Sequence, residues 1–134
     1  MDQVEAQSLA NAFVSFIASG DLSVLEMVSP DFYDNVNDKR GLAIFKVVGD
    51  WFEESFSERR VDLHLVTYTD DKVVIWYTAH GRHVGAGFPR LKGLPIKGNE
   101  VTWPQVHIFR LAGGLVVEHW AVRDDAAMLD AVMA

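Results

Sequence analysis

The hydrophobic period of this chain changes once, near Val61, and that change constrains the fold more than any other feature. Before it, apolar residues recur at helical spacing. Leu9, Phe13, Phe16 and Ile17 form one stripe, the pattern of an amphipathic helix. Gly20 is a natural left-handed cap, so this helix is expected to stop near Ala18. Asp21 or Ser23, the latter in a capping box with Glu26, opens a short second helix that Pro30 ends. Asp31-Phe32-Tyr33 then reads as a loop. Gly41 to about Phe56 reads as a third helix with Phe45, Val48, Phe52 and Phe56 on one face.

From Val61 onward the period is two. Val61, Leu63 and Leu65 alternate with other residues, and Val73 to Thr78 is a β-branched and aromatic run expected to be an interior strand. Asp70-Asp71 is the turn between them. Val101 to Leu111 and Leu115 to Val122 form a hairpin about Gly113-Gly114. Asp124 to Met133 is an Ala-rich terminal helix or an ordered end. Helices followed by a strand meander indicate an α+β fold rather than alternating βαβ units. With 134 residues, one domain is expected. Gly85 to Glu100, with four glycines and two prolines, is either a functional lid or a mobile hairpin tip.

Composition removes several classes of function. The chain has no cysteine, which excludes disulfides, thiolate metal sites and a cysteine nucleophile. Its 19 acidic and 12 basic residues give a net charge of −7, the wrong sign for a nucleic-acid face. No apolar run reaches the length of a membrane span, and the acidic N-terminus lacks a secretory layout, so a cytoplasmic setting is expected. The Gly-rich stretch opens no helix and has no Gly-Lys-Ser/Thr, which argues against nucleotide binding. His80 and His83 face opposite sides of a strand, no His-Glu-x-x-His occurs, and no Gly-x-Ser-x-Gly elbow marks a nucleophilic serine.

The last hairpin carries the chemistry-bearing residues. Trp103, Gln105, His107 and Phe109 share one strand face, the mixture of rings and polar handles that lines a ligand cavity. The returning strand adds Glu118, His119 and Trp120, followed by Arg123, Asp124 and Asp125. Imidazoles and carboxylates at such positions make an acid–base constellation, or alternatively a hydrogen-bonded core with a capped helix. A bulge at Gly113-Gly114 would change which residues face His107.

Gly81-Arg82-His83-Val84-Gly85, Gln105-Val106-His107-Ile108-Phe109-Arg110, Glu118-His119-Trp120 and Asp124 resemble the SnoaL-like polyketide cyclases of the nuclear-transport-factor-2-like superfamily. The resemblance extends to Gly20-Asp21-Leu22, Pro30 to Tyr33 and Trp51 to Glu58. It implies a cone: a curved antiparallel sheet packed on about three N-terminal helices and enclosing a pocket. It also implies no metal or organic cofactor and an oligomer, a homodimer or larger. In the SnoaL cyclases an aspartate removes a proton next to a carbonyl, and a histidine supports the enolate in an aldol closure. His107 matches that histidine and Gln105 a pocket polar group, with His119 alongside. The aspartate's place is taken by Ala121, so His107, His119 or Asp124 is left to serve as the base.

Three functions are compatible with these residues: a cyclase or isomerase, a hydroxylase component working with a reductase, and a binding protein without chemistry. A limonene-type epoxide hydrolase needs an Asp-Arg-Asp set, of which Arg82 and Asp124 supply only part. A large planar aromatic ligand fits all three, with Tyr33, Trp51, Trp103 and Trp120 as stacking surfaces. Trp76 and Phe109 are assigned to the core. Arg82 or His83 would hold a phenolate or carboxylate of the ligand, or form a structural ion pair.

Overall fold

The computed structural model describes all 134 residues, Met1–Ala134. Helix α1 (Gln3–Ser19) begins where the Asp2 carboxylate accepts the Glu5 N–H at 2.9 Å and ends at Gly20, whose φ of +76° lets its N–H return to Phe16 O. Its buried stripe includes Leu9, Phe13, Phe16 and Ile17, as the spacing predicts. The following 3-10 turn (Leu22–Met27) is capped by Asp21 through the Ser23 N–H.

The stretch expected as a loop is a strand instead. β1 (Val28–Asp34) pairs with the two-residue β2 (Lys39–Arg40) and runs parallel to β6. Pro30 and three flanking polar residues read as strand breakers. Pro30 is tolerated because it lies in the gap between the Val28 and Tyr33 pairings with β6, where a missing N–H breaks no ladder bond. Helix α2 (Ala43–Ser55) then buries Ile44, Phe45 and Phe52.

Four long strands follow: β3 (Phe56–Tyr68), β4 (Lys72–His83), β5 (Glu100–Ala112) and β6 (Leu115–Arg123). The six-stranded sheet has the order β2-β1-β6-β5-β4-β3. Every pairing is antiparallel except β1 with β6, which corrects the expectation of a wholly antiparallel sheet. Helix α3 (Asp125–Met133) packs back against β5. The helices and the concave face of the sheet enclose one apolar core that includes Phe13, Phe32, Phe45, Ile75, Trp103 and Phe109. Trp76 is not in that core. It stands on the convex face, 46% exposed, with the His64 ring 4.8 Å away.

The turn and the register of the last hairpin decide which side chains enter the interior. Gly113 and Gly114, at φ +59° and +80°, make the two-residue turn that needs a positive φ at both positions. The bulge falls not at these glycines but at Val117. Leu111 pairs with Val116 and Arg110 with Glu118, leaving Val117 opposite nothing. A one-residue shift reverses the faces of a strand. Beyond the bulge His119 lies across from Phe109 and Ala121 across from His107.

The segment between β4 and β5 is neither a mobile tip nor an open lid. Phe88 and Leu91 are buried, and the Asn99 amide donates to the carbonyls of Ala131 and Ala134 at the end of α3. Gly85 passes so close to α2 that a Cβ would stand 2.0 Å from Glu54 O. Ser55 fastens the strap: its Oγ accepts the buried Phe88 N–H at 2.7 Å and donates to Trp51 O at 2.6 Å. Ser55→Ala leaves that N–H buried and unpaired, so a loss of about 1–3 kcal/mol in unfolding free energy is expected. Urea denaturation measures it, and an unchanged midpoint would show that the strap is held by other contacts.

Candidate active site

His107 on β5 and His119 on β6 face the same interior, and their rings lie edge to edge with centroids 5.0 Å apart and planes 6° from parallel. His107 Nδ1 lies 2.7 Å from His119 Nε2. His119 Nδ1 lies 3.0 Å from Asp34 Oδ1, on the parallel strand β1. At the other end His107 Nε2 is 2.9 Å from Tyr77 Oη and 2.8 Å from Gln105 Oε1, and those two oxygens are 2.9 Å apart. A continuous hydrogen-bonded chain thus runs Asp34–His119–His107–Tyr77/Gln105. Every member is at least nine-tenths buried.

The carboxylate end sets the polarity of the chain. Burial alone would raise the Asp34 pKa, but the bond and charge of His119, the Asn37 amide and the Val36 N–H together hold it below the ordinary carboxylate value. Ionised Asp34 only accepts, so His119 Nδ1 donates to it. With both imidazoles neutral, His119 Nε2 then accepts from His107 Nδ1–H, and the His107 Nε2 lone pair accepts from Tyr77. Burial first, then the charges of His119 and Arg123, hold His107 well below the usual imidazole range. Burial likewise pushes the Tyr77 hydroxyl upward, keeping it a phenol. In this state Tyr77 Oη, Gln105 Oε1 and His107 Nε2 share a single proton. A second proton arriving on Nε2 would find Gln105 Oε1 already in place as acceptor.

Phe13, Phe32, Phe45, Phe52, Gln105 and Arg123 are among the residues that enclose this chain in a small cavity. The Arg123 guanidinium lies 5.2 Å from the Trp103 ring centroid and 5.3 Å from that of Phe88, with its Nε 3.7 Å from Asp125. A second small void adjoins the first and shares Ile17, Phe52 and Gln105 with it. Trp103 lines this second void, and its indole N–H donates to Asp125 at 3.1 Å. No group of three or more His, Asp or Glu side chains is disposed to hold a metal ion.

Of the residues singled out in the sequence, His107, His119, Gln105 and Trp103 meet here. The others do not. Asp124 is the N-cap of α3, where its carboxylate accepts the Ala127 N–H at 3.0 Å. Arg82 projects from the opposite face of β4 and is held by Glu58, Glu100 and Gly98 O. Tyr33 points away from the interior, bonded to Asp38 beneath the Arg40 guanidinium. The Val117 bulge turns Trp120 to the convex side together with its partner Ile108. Trp51 packs on Phe88, with ring centroids 6.1 Å apart, outside both voids. His83 is fully buried beside Phe56, and neither of its ring nitrogens is bonded. Sequence reasoning missed Asp34, because β1 read as a loop, and Tyr77, which read only as one residue of the Val73 to Thr78 strand. The one available signal was the period-two burial of Phe32 and Asp34 about Tyr33.

Comparison with known proteins agrees with this architecture. TsrD from Streptomyces laurentii superposes with a TM-score of 0.85 at 22% identity, covering 98% of this chain and 97% of its own. AclR from Streptomyces galilaeus, a hydroxylase candidate, superposes with a TM-score of 0.76 at 25% identity over 96% of this chain and 80% of its own. Aklanonic acid methyl ester cyclase DnrD from Streptomyces peucetius is 28% identical over 99 residues, 71% of this chain; the match spans 63% of that cyclase. The family model for SnoaL-like polyketide cyclases matches residues 7–132. The nuclear-transport-factor-2-like α+β fold and this match place the chain in the SnoaL-like polyketide cyclase family.

Proposed function

We propose that the chain is a cofactor-free cyclase or isomerase of a polyketide or related aromatic intermediate, working by enolate chemistry. The observation that carries this reading is the buried Asp34–His119–His107 chain facing an aromatic-lined cavity. Tyr77 can turn its O–H from His107 Nε2 to Gln105 Oε1, 2.9 Å away, and so free the Nε2 lone pair. His107 Nε2 then takes the proton next to a substrate carbonyl. The C–H bonding pair moves into the enolate, and the Nδ1 proton passes to His119 Nε2. Positive charge thereby collects on His119 against Asp34 rather than on His107. The Arg123 guanidinium offsets the developing enolate oxygen. The enolate carbon attacks a second carbonyl, closing the C–C bond, and the resulting alkoxide recovers the proton by the reverse relay. His107 thus takes the proton-abstracting role of the family aspartate lost at Ala121, and Asp34, not Asp124, is the carboxylate that supports it.

A cytoplasmic setting belongs to the same proposal; no helix is long and apolar enough to cross a membrane. So does a homodimer. Leu65, Trp76 and Val122, exposed to 48%, 46% and 75% on the convex sheet face, would cover one another between copies. The likeness to AclR supports a second reading, a hydroxylase component with a reductase partner.

Aldol closure of aklanonic acid or its methyl ester is the assay. His107→Ala is expected to lower kcat roughly 10²–10⁴-fold, the usual contribution of a general base; a change within threefold would remove His107 from the mechanism. The pH dependence has a definite sign. The base must be unprotonated, and His107 is held below its ordinary 6.5, so the rate plateau should extend below pH 6.5 before falling with acid. A pH–rate midpoint at or above that value counts against the relay. Closure by the protein alone without oxygen is expected, whereas a requirement for oxygen and a reductase would establish the hydroxylase reading.

A further inference from the structure

Arg59 is a second inward-facing cation, lining the void next to the cavity that holds Arg123. On β3 the pairing passes from Ser57–Arg82 to Arg60–His80, so Glu58 and Arg59 together oppose the single residue Gly81. The extra residue is accommodated by Glu58 at φ +53°, a left-handed conformation that non-glycine residues seldom adopt. Bulges of this kind redirect side chains and are frequent beside functional sites. Here the bulge turns Arg59 toward the concave face, where its side chain is only 10% exposed. Gly81 leaves room for it: a Cβ there would stand 3.6 Å from Arg59 Cγ and 3.1 Å from Phe56 Cβ.

One edge of the guanidinium is satisfied and the other is not. Nη2 pairs with Glu53 Oε2 at 2.8 Å, at the protein surface. Nη1 is buried and has no hydrogen-bond partner. Arg59 lines the second void with the apolar and aromatic Phe52, Phe56, Val101 and Trp103, and with Arg60 and His80 at its rim on the strand edge. A buried donor on a permanent cation, left without an acceptor, is a group awaiting one. Its planar fork matches a carboxylate, and the surrounding rings match an aromatic body. The void also shares Gln105 with the cavity that holds His107.

We infer that Arg59 is the anchor for a free carboxylate on the ligand, so that this chain takes an aromatic acid where DnrD, by its name, takes a methyl ester. The acid group sits in the Arg59 void, and the ring system extends past Gln105 toward His107. This rests on the reading of the His107 cavity as a polyketide site. An ester lacks the anionic oxygens that would complete Nη1, and it leaves the guanidinium charge unanswered.

Binding of anthraquinone-2-carboxylate and of its methyl ester, followed by calorimetry or quenching of tryptophan fluorescence, tests this without turnover. Wild-type protein is expected to prefer the acid by about tenfold or more. Arg59→Gln should abolish that preference while leaving ester affinity within about twofold, and Arg59→Lys should restore part of it; circular dichroism of both variants checks folding. Equal affinity of the wild type for acid and ester overturns the inference and leaves the proposed function standing. So does an acid preference that survives in Arg59→Gln, which would assign it to another cation. If neither probe binds, the cavity does not receive an aromatic ligand, and the proposed function falls with the inference.

Discussion

The register of β5 against β6 is the constraint on which the interior depends. Leu111 and Val116 pair as a tight hairpin requires, and then Val117 is left over. Had the first register continued, Trp120 would stand across from His107, and His119 would face outward. One unpaired residue therefore exchanges a tryptophan for a histidine in the cavity wall and sets that histidine within reach of Asp34. The parallel pairing of β1 with β6 completes the arrangement, because it brings Asp34 level with His119. Without that strand the two imidazoles would have no ionised partner.

Burying four polar side chains and a tyrosine hydroxyl in one core is costly unless nearly every donor meets an acceptor. The chain from Asp34 to Gln105 meets that condition with distances between 2.7 and 3.0 Å. It is short by one proton at its Gln105 end, where Tyr77 Oη, Gln105 Oε1 and His107 Nε2 converge. His83 provides the contrast. It is fully buried, with both nitrogens unbonded, and packed against Phe56 as an apolar ring would be. Two histidines on adjacent strands are joined in a hydrogen-bonded chain, while a third at the end of β4 packs as an apolar ring.

Periodicity in the sequence identified the elements with strong patterns: α1, α2 and the four long strands, together with the turn at Gly113-Gly114. It placed Trp103, Gln105, His107 and Phe109 on one face correctly, because nothing interrupts the alternation of β5. It failed where alternation is broken by something with no local signature. The Val117 bulge has no glycine to announce it, so Trp120 was assigned inward. β1 contains Pro30 and two aspartates, and only its neighbours β2 and β6 make it a strand. Asp34, the carboxylate of the site, was hidden for that reason. Asp124 and Arg82 have the right chemistry but are engaged elsewhere, one by a helix terminus and the other by Glu58 and Glu100. Whether a charged side chain is free or engaged is a tertiary property, and a linear pattern does not contain it.

Arg59 and Arg123 line the interior voids of a protein whose net charge is −7. A negatively charged ligand approaching from solvent is therefore repelled before it is attracted. The barrier acts over about one Debye length, roughly 8 Å at physiological salt, and the attraction begins only inside the mouth. Were the ligand an anion, its capture would be accelerated by added salt, opposite in sign to the steering found where surface and site share one polarity.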